Sequence, residues 1–129
     1  MYDSNYYRRQ MSSYLELIKK TEDDKKQFKN LKSNLLNLDD SLPNVKVDLK
    51  DAEECFLNGG FISNNETFDN GTIDECCMDI DSISDDISNI ISKINSKIIE
   101  LDGSIVNYKN LYNSASNNYN SALLKDRGD

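Results

Sequence analysis

From Ile73 to Ala122 an apolar or aromatic residue recurs every three or four positions, with no proline in the series. A period of that kind, sustained over so long a stretch, is the signature of an α-helix with one buried face. The stripe reads Ile73, Cys76, Ile80, Ile83, Ile87, Ile90, Ile94, Ile98, Leu101, Ile105, Tyr108, Tyr112, Ala115, Tyr119 and Ala122. Its steps alternate between three and four except at Ile90, Ile94 and Ile98, where two fours follow each other and predict a stutter in the supercoil. Thr72 with Glu75 three residues on has the form of a capping box, and Asp74, Glu75 and Asp79 suit the positive end of a helix dipole. The spacing therefore predicts a long helix over 72–124 with a frayed tail over 125–129. Gly103 is its one poor helix former, at about 1 kcal/mol relative to Ala.

A second periodic series runs through Tyr7, Met11, Tyr14, Leu17, Ile18, Thr21, Phe28, Leu31, Leu35 and Leu38, and predicts a helix over 4–38 that would span about 50 Å. Asn37, Asp39, Asp40 and Ser41 followed by Pro43 read as its stop, because proline lacks a donor and disfavours helix in the residue before it. The connector is then 39–71. It contains a weak strand alternation at Val45, Val47 and Leu49, a possible short helix over 48–57 closed by Gly59 and Gly60, and an Asn- and Gly-rich loop with Phe61 and Phe68 as apolar anchors.

Two long amphipathic helices joined by such a connector predict an all-α fold. The expected architecture is one domain over 1–129, an elongated antiparallel, coiled-coil-like helical hairpin with a short helix or loop inserted between the long helices. In that register Lys25, Lys26, Lys29 and Lys32 come alongside the acidic stretch from Asp74 to Asp86. The second helix also outreaches the first, leaving its stripe uncovered after about Val106. Tyr108, Leu111, Tyr112, Tyr119 and Leu123 then form a candidate partner interface, since a contiguous exposed apolar patch marks an interaction surface.

Charge narrows the function. The chain of 129 residues has a net charge of −8, which disfavours nucleic acid as a partner because that binding rests on neutralising phosphates with Lys and Arg. The acid is concentrated: residues 39–90 carry fourteen acidic and two basic groups. The opening residues have no apolar leader region, and no run approaches the ~18 apolar residues of a membrane span. The expectation is a chain made in the cytoplasm with no membrane span, any export proceeding without a cleaved signal peptide.

Chemistry finds little purchase. There is no His, and Cys55, Cys76 and Cys77 are an odd set with two adjacent members, unsuited to a disulfide framework or a zinc site and read as small buried apolar residues. Acidic pairs such as Glu53 with Glu54 and Asp85 with Asp86 have no partner His or nucleophile and read as solvated helix faces. Neither catalytic nor metal or cofactor-binding residues are expected, so the chain reads as non-enzymatic. The terminal Arg127, Gly128 and Asp129 match a short integrin-recognition tripeptide, a length at which chance suffices.

Phe56, Leu57 and Gly59 place large apolar groups just before a glycine, between two long amphipathic helices. That layout resembles the WXG-type helical hairpins, with Leu57, Asn58 and Gly59 standing where Trp-x-Gly would be. Together with the helix around Tyr14 to Leu38 and the Ile- and Ser-rich run from Asp81 to Ser92, nearly the whole chain is similar in architecture to the small YwqH-like proteins encoded beside LXG toxins in Gram-positive type VII secretion loci. The resemblance implies a targeting or chaperone-like partner that binds the helical N-terminal region of an LXG-type toxin, with or without another small helical protein, and presents it for export. Phe56, Leu57, Gly59 and Phe61 join the candidate interface on that basis. The C-terminal Tyr-x-x-x-Asp/Glu signal common in secreted WXG-type assemblies is not matched at these tyrosines, since Ser116 follows Tyr112 and Leu123 follows Tyr119 at that spacing. The resemblance then implies that a partner supplies the signal. The alternative function is a self-associating coiled-coil structural or adaptor protein, in which a homo-oligomer covers the same stripes.

Overall fold

The computed structural model describes residues 2–58 and 70–128, with the side chains of 56–58 and 70 excepted. The protein is all-α. Two long helices, α1 (Ser4–Asn58) and α2 (Asn70–Asp126), pack against each other as a helical hairpin of coiled-coil character, and the described residues contain no strand.

α1 starts where Asp3 caps it: the carboxylate Oδ1 accepts the Tyr6 N–H at 2.9 Å, satisfying one of the donors a helix start leaves unpaired. α2 ends at Asp126, and the turn beyond it is made by Gly128, whose φ of 76° suits a residue without a side chain. Its N–H donates to the Lys125 carbonyl at 2.9 Å and closes the last turn.

The expected stop at Pro43 does not occur. α1 is 55 residues long and passes through the proline, absorbing the anticipated short helix over 48–57 and turning the Val45, Val47 and Leu49 alternation into helix. A mid-helix proline costs about 3 kcal/mol. Against that, the far side of Pro43 contributes the partly buried Leu49 to the same apolar cluster as Leu42, Ile80 and Ile87, a part of the about 1.5–3 kcal/mol that full burial of such a side chain is worth. Pro43 itself is solvent-exposed, so its ring displaces nothing. Ser41 Oγ donates to the Leu38 carbonyl at 2.6 Å in the turn just before it.

The helices divide into two compact units, one comprising Met1–Asn30 with Ile94–Asp129 and the other Leu31–Lys93. In the first, the less exposed α1 positions are Tyr7, Met11, Tyr14, Ile18, Thr21, Lys25 and Phe28, in steps of four and three. Against them α2 sets Ile94, Ile98, Leu101, Ile105, Tyr108, Tyr112, Ala115, Tyr119 and Ala122. Alanine at 115 and 122, among the most buried residues of the chain, leaves room for the large rings of the tyrosine-rich stripes. Thr21 is buried and turns its hydroxyl back to the Leu17 carbonyl at 2.7 Å. Ser4 Oγ donates to Asp126 Oδ2 at 2.6 Å, and Lys25 pairs with Asp102, so the two helical segments of this unit run antiparallel.

In the second unit the inward α1 positions are Leu35, Asp39, Leu42, Lys46 and Leu49, and those of α2 are Cys77, Ile80, Ser84, Ile87 and Ile91. Leu42, Ile80 and Ile87 form its buried core, with Leu35, Leu49 and Ile91 packed around them. Lys46 bonds Asp81 and Lys50 bonds Asp74, each at 2.8 Å, again an antiparallel pairing.

Three further expectations are corrected. Ser84 and Ile91 occupy the seam where Ile83 and Ile90 were expected, so the α2 steps alternate between three and four and no stutter is present. The acidic beginning of α2 is matched by Lys46 and Lys50 of the extended α1, while Lys25 reaches Asp102 instead. Of the cysteines, Cys77 is buried, Cys76 is half-buried and Cys55 is exposed, all with free thiols.

Candidate partner-binding surface

A helix of 55 residues facing one of 57 leaves no C-terminal overhang. The late tyrosines accordingly lie in the first unit, where residues of the N-terminal half of α1 cover them: Tyr108, Tyr112, Tyr119 and Leu123 are half-buried. Leu111 alone of that predicted set is exposed. Phe56 and Leu57 fall in the last turns of α1, but their side chains lie outside the described residues, as do Gly59 and Phe61 entirely. The sequence-predicted interface is therefore not brought together as one surface among the described residues.

Another surface is. In a pair of antiparallel helices with seven-residue repeats, the flanking positions sort onto two edges of the seam. Residues one step before the Asp39 and Lys46 positions of α1 share an edge with residues one step before the Ser84 and Ile91 positions of α2. In the second unit those residues are Leu31, Leu38 and Val45 from α1 and Ile83 and Ile90 from α2. All five are 43–49% exposed although large and apolar. The opposite edge carries charge, with Lys46 to Asp81 and Lys50 to Asp74 bridging the helices. Both lysines are held above their ordinary pKa chiefly by the hydrogen bond to the facing aspartate; at Lys46 the charge of Asp81 adds to it ahead of the opposing desolvation, while at Lys50 desolvation opposes it more than the charge of Asp74 adds. One edge of this unit is thus bridged by ion pairs, with Leu36 exposed on it and an open groove beside Pro43 and Lys46, and the other is an apolar strip of five residues.

The strip had a sequence signal. Leu31, Leu38 and Val45 are seven residues apart, as are Ile83 and Ile90. A single broad stripe absorbs them; recognising them as a separate row requires the polar seam positions Asp39, Lys46 and Ser84 to be counted as inward-facing.

Elsewhere the surface offers less. An open groove of about 540 Å³ in the first unit is lined by Glu22, Lys25, Lys26, Lys29, Asp102 and Lys109 with Ile105 and Val106, a mixed-charge wall rather than an enclosed pocket. Among the described residues no three His, Cys, Asp or Glu side chains gather as a metal site, and no helix is long and apolar enough to cross a membrane. No protein-family model matches the sequence, and no curated protein or solved structure is significantly similar to the chain.

Proposed function

We propose that this chain is an adaptor for a helical partner: a type VII secretion accessory protein that binds the helical N-terminal region of an LXG-type toxin, with or without a second small helical protein, and presents it for export. The observation that carries the reading is the exposed apolar row Leu31, Leu38, Val45, Ile83 and Ile90 beside a closed seam. Coiled-coil edges left to solvent are usually charged, and an apolar edge at seven-residue spacing suits another helix. The architectural likeness to YwqH-like proteins supplies the class of partner.

Co-expression with the N-terminal helical region of an LXG toxin encoded beside the gene, followed by size-exclusion chromatography, tests the reading. A stable complex eluting ahead of either component is expected. Migration of the chain as a free monomer at micromolar concentration in the toxin's presence would overturn it, and a homodimer that excludes the toxin would favour self-association instead.

A further inference from the structure

We infer that the apolar edge of the Leu31–Lys93 unit seats a single amphipathic helix whose apolar stripe is rimmed by lysine and arginine. This rests on the adaptor reading and adds where the partner docks and what chemistry it must present.

The geometry sets the shape of the occupant. Leu31 to Val45 is fourteen steps along α1, a strip about 21 Å long at the rise of an α-helix. Ile83 and Ile90 line the same edge from α2, so an occupant lies along two rows of side chains that share one repeat. A helix with apolar residues at alternating three and four spacing can place its side chains between those rows. An extended strand has no counterpart here, because α-helices present no free backbone ladder for it to join.

Charge selects among helices. Residues 31–93 carry fourteen acidic groups against four basic ones, and in the row one step further out from the strip Asp48, Asp79 and Asp86 are exposed, with Lys93 beside Ile90 its one basic member. Two copies meeting edge to edge would bring these acids together, and like charges across an interface cost affinity and suppress that pairing. A helix with basic rims meets the same acids favourably. The opposite edge cannot serve in its place, since Lys46 and Lys50 there are engaged by Asp81 and Asp74 of the same unit.

The test uses the full-length chain, its L38Q/I83Q variant and, as a control, an I99Q variant altered at an exposed isoleucine of the other unit. The substituted side chains are partly exposed in the edge variant and largely exposed in the control, and circular dichroism checks that each protein keeps its helix content. A V45Q/I90Q variant replaces the first should that one misfold. The probes are two synthetic helical peptides of about four heptads, identical in their leucine stripe, one rimmed by Lys and Arg and the other by Glu, together with the toxin's N-terminal helical region. The inference expects the basic-rimmed peptide and the toxin region to bind wild type and I99Q alike, and both to weaken about tenfold or more on the edge variant, which is a loss of about 1.4 kcal/mol. Raising salt from about 50 to about 500 mM should weaken the basic peptide further, as screening predicts. Equal binding of the acidic-rimmed peptide, or a wild-type dimer abolished by L38Q/I83Q, overturns it. If the toxin region binds the edge variant as tightly as wild type, the docking assignment falls while the adaptor reading stands. If the toxin region binds neither protein, the adaptor reading falls and takes this assignment with it.

Discussion

Ser84 Oγ donates a hydrogen bond of 2.7 Å to Asp39 Oδ1, joining α2 to α1 in the half-buried seam of the Leu31–Lys93 unit. A polar pair between apolar neighbours selects register more than it stabilises, because each alternative alignment would strand one of its groups against Leu42 or Ile87. Ser84→Ala should cost about 1 kcal/mol, the value of a hydrogen bond to a charged group that water can partly replace. Replacing both residues with leucine should raise stability above wild type. Urea denaturation followed by circular dichroism reads both; a double variant less stable than Ser84→Ala would show that the pair stabilises in its own right.

The phase of α2 makes a sharper contrast. Ile87 is buried in the core of its unit at 4% exposure while Ile83, one turn earlier, is 44% exposed. Ile87→Ala should cost about 2–5 kcal/mol as a core truncation. Ile83→Ala should change stability by less than about 1 kcal/mol. Similar losses for the two would return Ile83 to the seam.

Pro43 sits inside α1 with its ring in solvent. Pro43→Ala restores a backbone donor to the helix and should stabilise the protein by about 1–3 kcal/mol. Were the chain turning at that point, the same change would be neutral or destabilising, so the sign of the shift in thermal midpoint decides.

The ion pairs give a pH dependence with a definite sign. Asp81 and Asp74 hold Lys46 and Lys50 above the ordinary lysine value, so their contribution is fully present below that value and is lost as pH rises through the raised one. The lysines are exposed and the effect is small. Wild type should therefore lose slightly more thermal stability between pH 9 and pH 11.5 (about the range of lysine titration) than a Lys46→Met/Lys50→Met variant. A larger loss in the variant would contradict the pairing.

The helical nature of the protein was legible because Ile80, Ile87, Ile94 and Ile105 declare their period without help from context. The length of α1 was not. Pro43 and the Asp and Asn residues around it are genuine stop signals, and only the burial of Leu42 and Leu49 against α2, a contact over long sequence distance, overrides them. That one misreading carried others with it. An α1 ending at Leu38 forces an overhang on α2, and the overhang turns Tyr108, Tyr112 and Tyr119 into an interface that the full-length α1 instead covers. The apolar strip went unseen for a different reason. Its residues look like core when only apolar positions are counted, and they separate from the core once Asp39, Lys46 and Ser84 are placed in the seam.

α1 and α2 run alongside each other far enough to bring Ser4 beside Asp126, so the late tyrosines are half-covered rather than left on an overhang. The most direct measurement is oxidative cross-linking of a Ser4→Cys/Asp126→Cys variant, with Cys55 and Cys76 changed to Ser and Cys77 to Ala, at dilute protein concentration. Rapid formation of an intramolecular disulfide in a monomeric species is the predicted result. Cross-links that form only between molecules would contradict the account and restore an uncovered C-terminal helix.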